Sequence, residues 1–488
     1  NADAGDKAND ALRITALQLR VKVVGEGANL GMTQPARIEY AVHGGRINTD
    51  AIDNSGGVNS SDLEVNLKIA LGAAEASGKL TRSRRNKLLA AMTDEVASLV
   101  LRNNYLQTLC LSLAQRGFAA DRAGLTRLFR VLETRGGLDR QIEFLPSQDQ
   151  LHDRLSAGGA LTRPELAVLV AYAKIVLFND LLSGKVADDA YLEHELFRYF
   201  PSRMVKPFSD EIRGHKLRGE IVCTLLANSI VNRCGPQFLF DLVQDSGVTP
   251  ATAALSYVLA RDSFGFVGMN EAVDALDCRM DGSRQLELYA KLQAGLSDAA
   301  AWFAANEDLT VGLTGLVKTY GDGLDEIAVR LPGLLPDQQA TDLQAEEQEL
   351  SGLGVDDSAG RRIAGVRHLV RGLEVVRISR STRATTHKVA DVYFSLAGNL
   401  GLDRILAGAE GLASGSDYDR QAVDGISQTV QRAMRAITMD AVSGRLGKAD
   451  NDHIILTGAE VRRISEEPDF TLAKFAVIAS HINGLVKT

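Results

Sequence analysis

Apolar residues recur at helical spacing along most of the chain. After Thr162-Arg-Pro-Glu165, hydrophobic side chains occupy positions 166, 169, 170, 173 and 177, and further apolar residues between them predict a buried helix that starts with a capping box. A cleaner apolar stripe follows residues 423–442. The same spacing predicts other helices over about 84–116, 120–134, 209–232, 251–263, 284–305, 336–350, 361–380 and 470–484. From Ser61 onward, almost every segment therefore favours helix.

The first 60 residues follow another pattern. Leu19-Arg-Val-Lys-Val-Val24 is a β-branched run that ends at a glycine, which is typical of a buried parallel strand. Residues 34–43 favour a short helix, and residues 47–52 favour a second strand before a loop over 53–58. This order indicates α/β organisation. The predicted fold class is mainly α, in which a short α/β segment, the tail of a Rossmann-like domain, precedes a large all-helical region.

Glycine- and proline-rich breaks suggest how the chain is divided. They lie at 156–160, 332–336 and 408–416. We expect residues 1–75 to form the C-terminal part of a nucleotide-binding domain. Residues 76–335 would then form a helical domain, and 336–488 a C-terminal helical subdomain.

Composition narrows the class of protein. The 488 residues are 45% hydrophobic and 24% charged, with a net charge of −8, which is typical of a metabolic enzyme and not of a nucleic-acid or membrane protein. The four cysteines are widely spaced, so we expect a reducing, cytoplasmic location. The most apolar run, residues 166–173, ends at Lys174 and is too short to span a bilayer. The chain does not begin with Met, and a fragment or processed product is expected on that ground.

One charge pattern allows two interpretations. Residues 337–357 hold seven acids and no base, and residues 361–383 then hold seven arginines. The arginines suit a nucleic-acid groove, which the neighbouring acids would oppose. Two adjacent helices that exchange surface ion pairs are the favoured interpretation.

Candidate chemistry concentrates in two glycine-rich loops near the start. Gly25-Glu-Gly-Ala-Asn-Leu-Gly31 differs from the GxGxxG fingerprint, because its third glycine comes one residue late, so this is not the pyrophosphate loop. Asn29 and Asn54 offer the donors and acceptors that a nicotinamide and its ribose require. Gly56-Gly57 lets the backbone approach a flat ring, and Ser60-Ser61, opening the next helix, suits a carboxylate. Taken singly, each of these is more often a turn residue or helix cap.

Together, these residues resemble the late nucleotide-domain region of glutamate dehydrogenases. The family pattern appears as Glu26-Gly27-Ala28-Asn29, then Thr33, then Asn54-Ser55-Gly56-Gly57-Val58 and Ser61. The amino-acid sequences of both loops are similar to those of the large bacterial NAD-specific subclass. So are Asn104-Tyr-Leu-Gln107, Leu161-Thr-Arg-Pro-Glu-Leu-Ala167 and Tyr199-Phe-Pro201 in the helical region. The resemblance spans essentially the whole chain. It departs from the smaller enzymes at residues 62–65, where Asp-Leu-Glu-Val replaces aromatic residues.

The resemblance implies oxidative deamination of L-glutamate to 2-oxoglutarate and ammonium, with NAD as the cofactor. Glu26, Gly27, Asn29, Asn54, Gly56 and Gly57 would lie at the cofactor, and Ser61 would bind the substrate side-chain carboxylate. The family's catalytic Lys and Asp and its GxGxxG loop are expected upstream of Asn1, so no catalytic residue is assigned here. We expect this chain alone to be inactive and the full-length protein to form a homo-oligomer.

Two other functions stay open. About 400 helical residues exceed what a bare dehydrogenase needs, so residues 76–488 can be a module for oligomerisation or regulation. Less favoured is an independent nucleotide-binding protein that uses residues 25–31. Zinc-protease, P-loop and GxSxG motifs are not found, and the dispersed histidines give no metal site.

Overall fold

Helices make up nearly all of the architecture. The computed structural model describes residues 10, 13–27, 31–412 and 417–486. Within these ranges there is no β-strand, and an isolated parallel bridge joins Val23 to Arg46. The prediction of a mainly helical chain is confirmed.

The chain divides into two compact units. The first extends to residue 244 and includes 248–254, and the second comprises 245–247 and residues from 255 onward. Helices up to residue 234 are α1 Gln34–Val42, α2 Asp50–Asp53, α3 Ser55–Ala76, α4 Arg82–Ala91, α5 Thr93–Ala120, α6 Arg122–Arg135, α7 Gln148–Ser156, α8 Arg163–Ser183, α9 Glu193–Tyr199, α10 Ser202–Val205, α11 Ser209–Arg213 and α12 Arg218–Cys234. The following helices are α13 Phe238–Ser246, α14 Pro250–Ser263, α15 Phe266–Asp274, α16 Gly282–Asn306, α17 Leu313–Leu334, α18 Asp337–Gly352, α19 Asp357–Thr382, α20 Thr386–Asn399, α21 Leu402–Leu412, α22 Asp417–Val442, α23 Lys448–Glu466 and α24 Leu472–Asn483. The predicted domain boundaries at residues 75 and 335 stay predictions.

Helix α8 begins where its sequence predicts. The backbone N–H and the hydroxyl of Thr162 both donate to Oε2 of Glu165 at 2.7 Å, and Pro164 occupies the first turn. These contacts stabilise the start of the helix. Ser147 and Gln150 form a capping box in the same way at the start of α7, with reciprocal bonds of 2.9 and 3.3 Å.

Helix α8 is the central helix of the first unit. It packs against α5, α6 and α12, and it continues past Lys174, where the sequence analysis ended the apolar run. By length and composition alone, this helix is apolar enough to cross a membrane, but the core helix of a globular protein passes the same test. Glu165 is buried and accepts two hydrogen bonds from Arg154 of α7. A paired carboxylate and neighbours on several sides identify α8 as a core helix.

Helix α19 has the corresponding role in the second unit, where it packs against α16, α17, α18 and α20. Two glycines allow its neighbours to approach closely. A Cβ on Gly295 of α16 would lie 2.6 Å from Val366, and one on Gly323 of α17 would lie 2.5 Å from Val376. Any larger residue would therefore push these helices apart.

Several predicted elements differ from the structure. Residues 19–24 do not form the predicted buried strand, because Val21 and Val23 are 54% and 64% exposed and the segment makes an isolated bridge at Val23. Residues 47–52 do not form a strand either, because the chain turns into α2 at Asp50. The helix predicted over 84–116 is interrupted at Met92, and the one over 209–232 is divided into α11 and α12. The break predicted at 332–336 begins only at Leu335. Pro332 still lies in the last turn of α17, where it costs one backbone hydrogen bond. Part of the break at 408–416 lies in α21, and residues 413–416 are outside the described residues.

The acidic and basic runs pair mostly with other helices. Between α18 and α19, Arg361 lies 3.5 Å from Glu347. Glu346 and Glu349 of α18 bind Arg284 of α16 at 3.3 and 2.6 Å. Arginines of α19 reach α17, α21 and the residue after α16 through the pairs Arg362–Asp325, Arg371–Asp403 and Arg380–Glu307. The arginines therefore form ion pairs with several helices of the second unit. The predicted ion pairing between two adjacent helices accounts for a small part of these contacts.

Candidate functional site

The two glycine-rich loops lie side by side. The Val24 N–H donates to the Arg46 carbonyl at 2.9 Å, and the Arg46 N–H donates to the Lys22 carbonyl at 3.0 Å. Just beyond this pairing, the Glu26 N–H donates to Oδ2 of Asp53 at 3.0 Å. The segments that start at Gly25 and at Asp53 therefore lie next to each other, beyond the isolated parallel bridge between Val23 and Arg46.

The carboxylate of Glu26 forms hydrogen bonds within the chain. It is 5% exposed and accepts hydrogen bonds from Nε and Nη2 of Arg37 at 2.5 and 3.0 Å, and from the Met32 N–H at 3.0 Å. Arg37 also lies 3.2 Å from Asp50 of α2. Among the predicted cofactor residues, Glu26 thus fixes the loop through its side chain, and the exposed Gly27 presents the backbone.

Asn54 and the glycine pair stand where α2 passes into α3. Asn54 is half-buried, and Ser55, Gly56 and Gly57 form the first turn of α3. A Cβ on Gly57 would lie 3.2 Å from Oδ1 of Asn54, so only glycine leaves the Asn54 amide uncrowded. The loop predicted over 53–58 is wrong except at Asn54, because Asp53 ends α2 and residues 55–58 belong to α3. Asn29, the other predicted amide, lies outside the described residues.

Ser60 and Ser61 do not open a helix. Helix α3 begins at Ser55, so both serines lie in its second turn, where the backbone N–H groups serve the helix. The Ser60 hydroxyl donates to the Gly56 carbonyl at 2.6 Å, and Ser61 is exposed. The prediction of a helix N-terminus at these serines is wrong, and any carboxylate bound at Ser61 would meet the hydroxyl alone.

Asp62 joins α3 to α9. Tyr199 donates to its Oδ2 at 2.7 Å, and Asn66 donates to the Tyr199 hydroxyl at 2.8 Å. Burial and the Asp62 contact raise the pKa of Tyr199 above its ordinary range. The Leu217 N–H donates to Nδ1 of His215, so Nε2 carries the proton and donates to the Asn66 carbonyl at 3.2 Å. Burial lowers the pKa of His215, which favours the neutral imidazole that these two hydrogen bonds require.

Two further side chains from the helices hold the loops. Nε of Arg163 donates to Oδ1 of Asn48 at 2.7 Å, and Nδ2 of Asn48 donates to Oδ1 of Asp53 at 2.7 Å. From α5, Nδ2 of Asn104 donates to the Ile52 carbonyl at 2.7 Å and to the Ser55 hydroxyl at 3.0 Å. Asn104 and Arg163 lie in segments whose resemblance to the family is visible in the sequence. No local sequence pattern, however, predicts the contacts that these two side chains make.

A buried amine and a buried thiol lie behind Arg163. Nζ of Lys174 is buried and has no hydrogen-bond partner among the described residues. Burial lowers the pKa of the Lys174 ammonium from 10.5 to about 8. Burial also raises the pKa of Cys110 to about 11, and its Sγ donates to the Val231 carbonyl at 3.3 Å.

We expect Lys174→Met to raise the free energy of unfolding by about 1–3 kcal/mol at pH 7, since an unpaired buried ammonium disfavours the native state. Below pH 8, native and unfolded states are both protonated and the penalty is full. Between pH 8 and 10.5 the unfolded state binds more protons, so native stability rises with pH and the advantage of the variant disappears. Denaturant titrations at pH 7 and pH 10 measure this. The exposed Lys87, changed to Met, is the control, and equal behaviour of the two variants would contradict the assignment.

The second unit contains a separate buried polar cluster, which the sequence analysis missed. Glu374 of α19 is 3% exposed and accepts a hydrogen bond from Nε1 of Trp302 at 2.7 Å. Nε and Nη2 of Arg435 donate to its two carboxylate oxygens at 2.7 and 2.6 Å. Arg435 also reaches Oδ1 of Asn306 at 2.9 Å. In neither unit do the described residues form a group of three or more His, Cys, Asp or Glu suited to a metal ion.

Known proteins resemble both parts of the chain. Residues 158–474 match the family described as "Glutamate dehydrogenase, C-terminal", and residues 1–114 match "Bacterial NAD-glutamate dehydrogenase, catalytic domain". A protein of Pseudomonas aeruginosa named NAD-specific glutamate dehydrogenase is 40% identical over 442 residues, which are 91% of this chain and 27% of the relative. Proteins of the same name from Halomonas elongata and Mycobacterium tuberculosis are 36% and 31% identical, over 92% and 100% of this chain and 28% and 31% of their own lengths. The chain thus spans about a third or less of the curated relatives it matches.

Proposed function

The chain belongs to the glutamate dehydrogenase family, as a C-terminal portion, and from that premise we propose that it works within an NAD-dependent enzyme. The reaction converts L-glutamate, NAD and water into 2-oxoglutarate, ammonium and NADH. One observation carries the proposal for this chain. The loops beginning at Gly25 and Asp53, both inside the catalytic-domain match, are joined by the bond from the Glu26 N–H to Asp53.

The residues of these loops fit a nicotinamide riboside. The exposed backbone at Gly27 and the amide of Asn54 provide polar groups, and the missing side chain at Gly57 leaves room beside that amide. NAD, when bound, accepts the hydride. In our proposal Asn54, together with Asn29, orients the carboxamide and ribose, and Glu26 keeps its loop in register.

The substrate side of the site is a finer proposal. Ser61 is exposed one turn beyond Gly57 on α3 and would donate its hydroxyl to the side-chain carboxylate of glutamate. We assign the catalytic Lys and Asp and the pyrophosphate loop to the part of the full-length protein outside this chain. Residues 1–75 would then complete a Rossmann-like nucleotide domain, and the enzyme would be a cytoplasmic homo-oligomer.

The first test compares the purified chain with the full-length enzyme that contains it. We expect NADH formation from glutamate and NAD by the full-length enzyme and none by the chain alone, because the catalytic Lys and Asp are supplied elsewhere. Absorbance at the NADH band measures both. Turnover by the isolated chain, free of full-length enzyme, would contradict the proposal.

The same assay separates a dehydrogenase site from a helical module without catalysis of its own. In the full-length enzyme, Asn54→Ala should raise the KM for NAD roughly 10-fold, the loss of about one hydrogen bond. Asn86→Ala, on the exposed face of α4, is the matched control and should leave the KM unchanged. Equal kinetics for both variants would favour the module for oligomerisation or regulation.

A further inference from the structure

We propose that Arg163 is a positioning residue for the two nicotinamide loops and that it acts through Asn48 and Asp53. The inference rests on the proposed function, and it adds a role for the helical region. The four groups form one relay, from Arg163 of α8 through the side chains of Asn48 and Asp53 to the backbone N–H of Glu26.

The first member of the relay is held rigidly. Nη1 of Arg163 donates to the Ser112 hydroxyl at 2.9 Å, and Nη2 donates to the Thr108 carbonyl at 3.1 Å. Both partners belong to α5, so the guanidinium bridges α8 and α5, and only Nε is directed to Asn48. Because the guanidinium is planar, two fixed nitrogen atoms also fix the direction of the third.

Asn48 transmits that position to both loops. Its oxygen accepts from Arg163, and its Nδ2 donates to one oxygen of Asp53. The other oxygen of Asp53 accepts from the Glu26 N–H. Asn54 follows Asp53 directly, and Gly27 follows Glu26, so one carboxylate sets the distance between the two sides of the proposed nicotinamide site.

The charges favour arginine at this position. Burial lowers the pKa of Arg163, and the Asp53 carboxylate acts in the opposite direction. The Arg163 cation therefore balances the charge of Asp53 without direct contact, because the neutral amide of Asn48 lies between them. A lysine has no rigid fork with which to reach Asn48, Ser112 and Thr108 together.

The polarity of the relay can be reversed, which provides a sharp test in the full-length enzyme. Asn48→Asp keeps an acceptor for Arg163 but sets two carboxylates against each other. The double variant Asn48→Asp with Asp53→Asn restores both bonds, because the new amide at position 53 donates to position 48 and still accepts from the Glu26 N–H. We expect kcat/KM for NAD to fall roughly 10- to 100-fold in the single variant, as for a small misplacement of bound groups, and to recover most of that loss in the double variant. Arg135→Gln, which removes a surface pair between α6 and Asp180 of α8, should leave kcat/KM unchanged.

A second measurement judges the relay without turnover. Amide hydrogen exchange of a peptide spanning residues 24–27 should be faster in Asn48→Asp and return toward the unmodified rate in the double variant. Unchanged exchange in the single variant would overturn the relay. If Asn48→Asp lowered the melting temperature but left kcat/KM unchanged, the relay from Arg163 would have a structural role only, and the proposal would be overturned. If the unmodified enzyme forms no NADH, the proposed function fails, while the exchange pattern still decides the relay.

Discussion

Changing Arg37 to methionine is expected to cost about 3–5 kcal/mol in the free energy of unfolding of the segment that carries the two loops, because it leaves a buried carboxylate without its cation. Glu26 and Arg37 are each 5% exposed, and Glu26 would keep a single hydrogen bond, from the Met32 N–H. Asp50 would lose the same partner. Denaturant unfolding followed by circular dichroism, with amide exchange over residues 26–53, measures the loss.

Two companion variants make this expectation specific. Glu26→Gln combined with Arg37→Met removes both charges and keeps an acceptor for the Met32 N–H, so most of the lost stability should return. Lys68→Met breaks an exposed pair with Glu64 on α3 and should cost within about 1 kcal/mol. If Arg37→Met behaved like Lys68→Met, the pair would not stabilise the loop. If the double variant were as unstable as the single one, the loss would come from packing of the arginine stem.

The helical architecture could be predicted from sequence because it depends on local signals. Apolar spacing locates α8, α16, α19 and α22, and the capping box of Thr162 and Glu165 gives the start of α8 to the residue. Local signals failed where distant contacts decide. Gly56 and Gly57 disfavour helix, yet α3 begins at Ser55, because Asn104 binds the Ile52 carbonyl and the Ser55 hydroxyl.

The residue types of the candidate site can be identified from sequence, but its geometry cannot. The residues of the two glycine-rich segments suit a nicotinamide riboside, which stays a prediction. Nothing in the local sequence pairs Asn48 with Arg163, 115 positions later, or Asp62 with Tyr199, 137 positions later. The carboxylate of Asp62 is visible in the sequence, but its hydrogen bond to Tyr199 of α9 depends on a helix that only the fold brings near.

Arg435→Met is expected to lower the free energy of unfolding of the second unit by about 3–5 kcal/mol. As with Arg37, the change leaves a buried carboxylate, here Glu374, without its cation. Glu374 would keep the hydrogen bond from Trp302 and lose both donors of Arg435. Burial and the nearby Glu374 charge raise the pKa of Tyr393 above its ordinary range, so this tyrosine stays neutral beside the carboxylate. Trp302 is the single tryptophan of the chain and is hydrogen-bonded to the Glu374 carboxylate, so its emission reports on the unfolding of this unit. The emission change should occur at a lower denaturant concentration in the variant.

Glu374→Gln combined with Arg435→Met tests whether charge or packing is responsible. The amide oxygen at position 374 can still accept from Nε1 of Trp302, and no charge is left buried, so the transition should move back toward that of the unmodified chain. Arg404→Met, which breaks a half-exposed pair with Glu466, should leave the transition where it is. Recovery in the double variant means that the cluster is a charge-balanced contact joining α16, α19 and α22. Failure to recover would mean that the arginine stem, and not its guanidinium, holds α22 in place, because the double variant restores the charge balance and the Trp302 bond but not that stem.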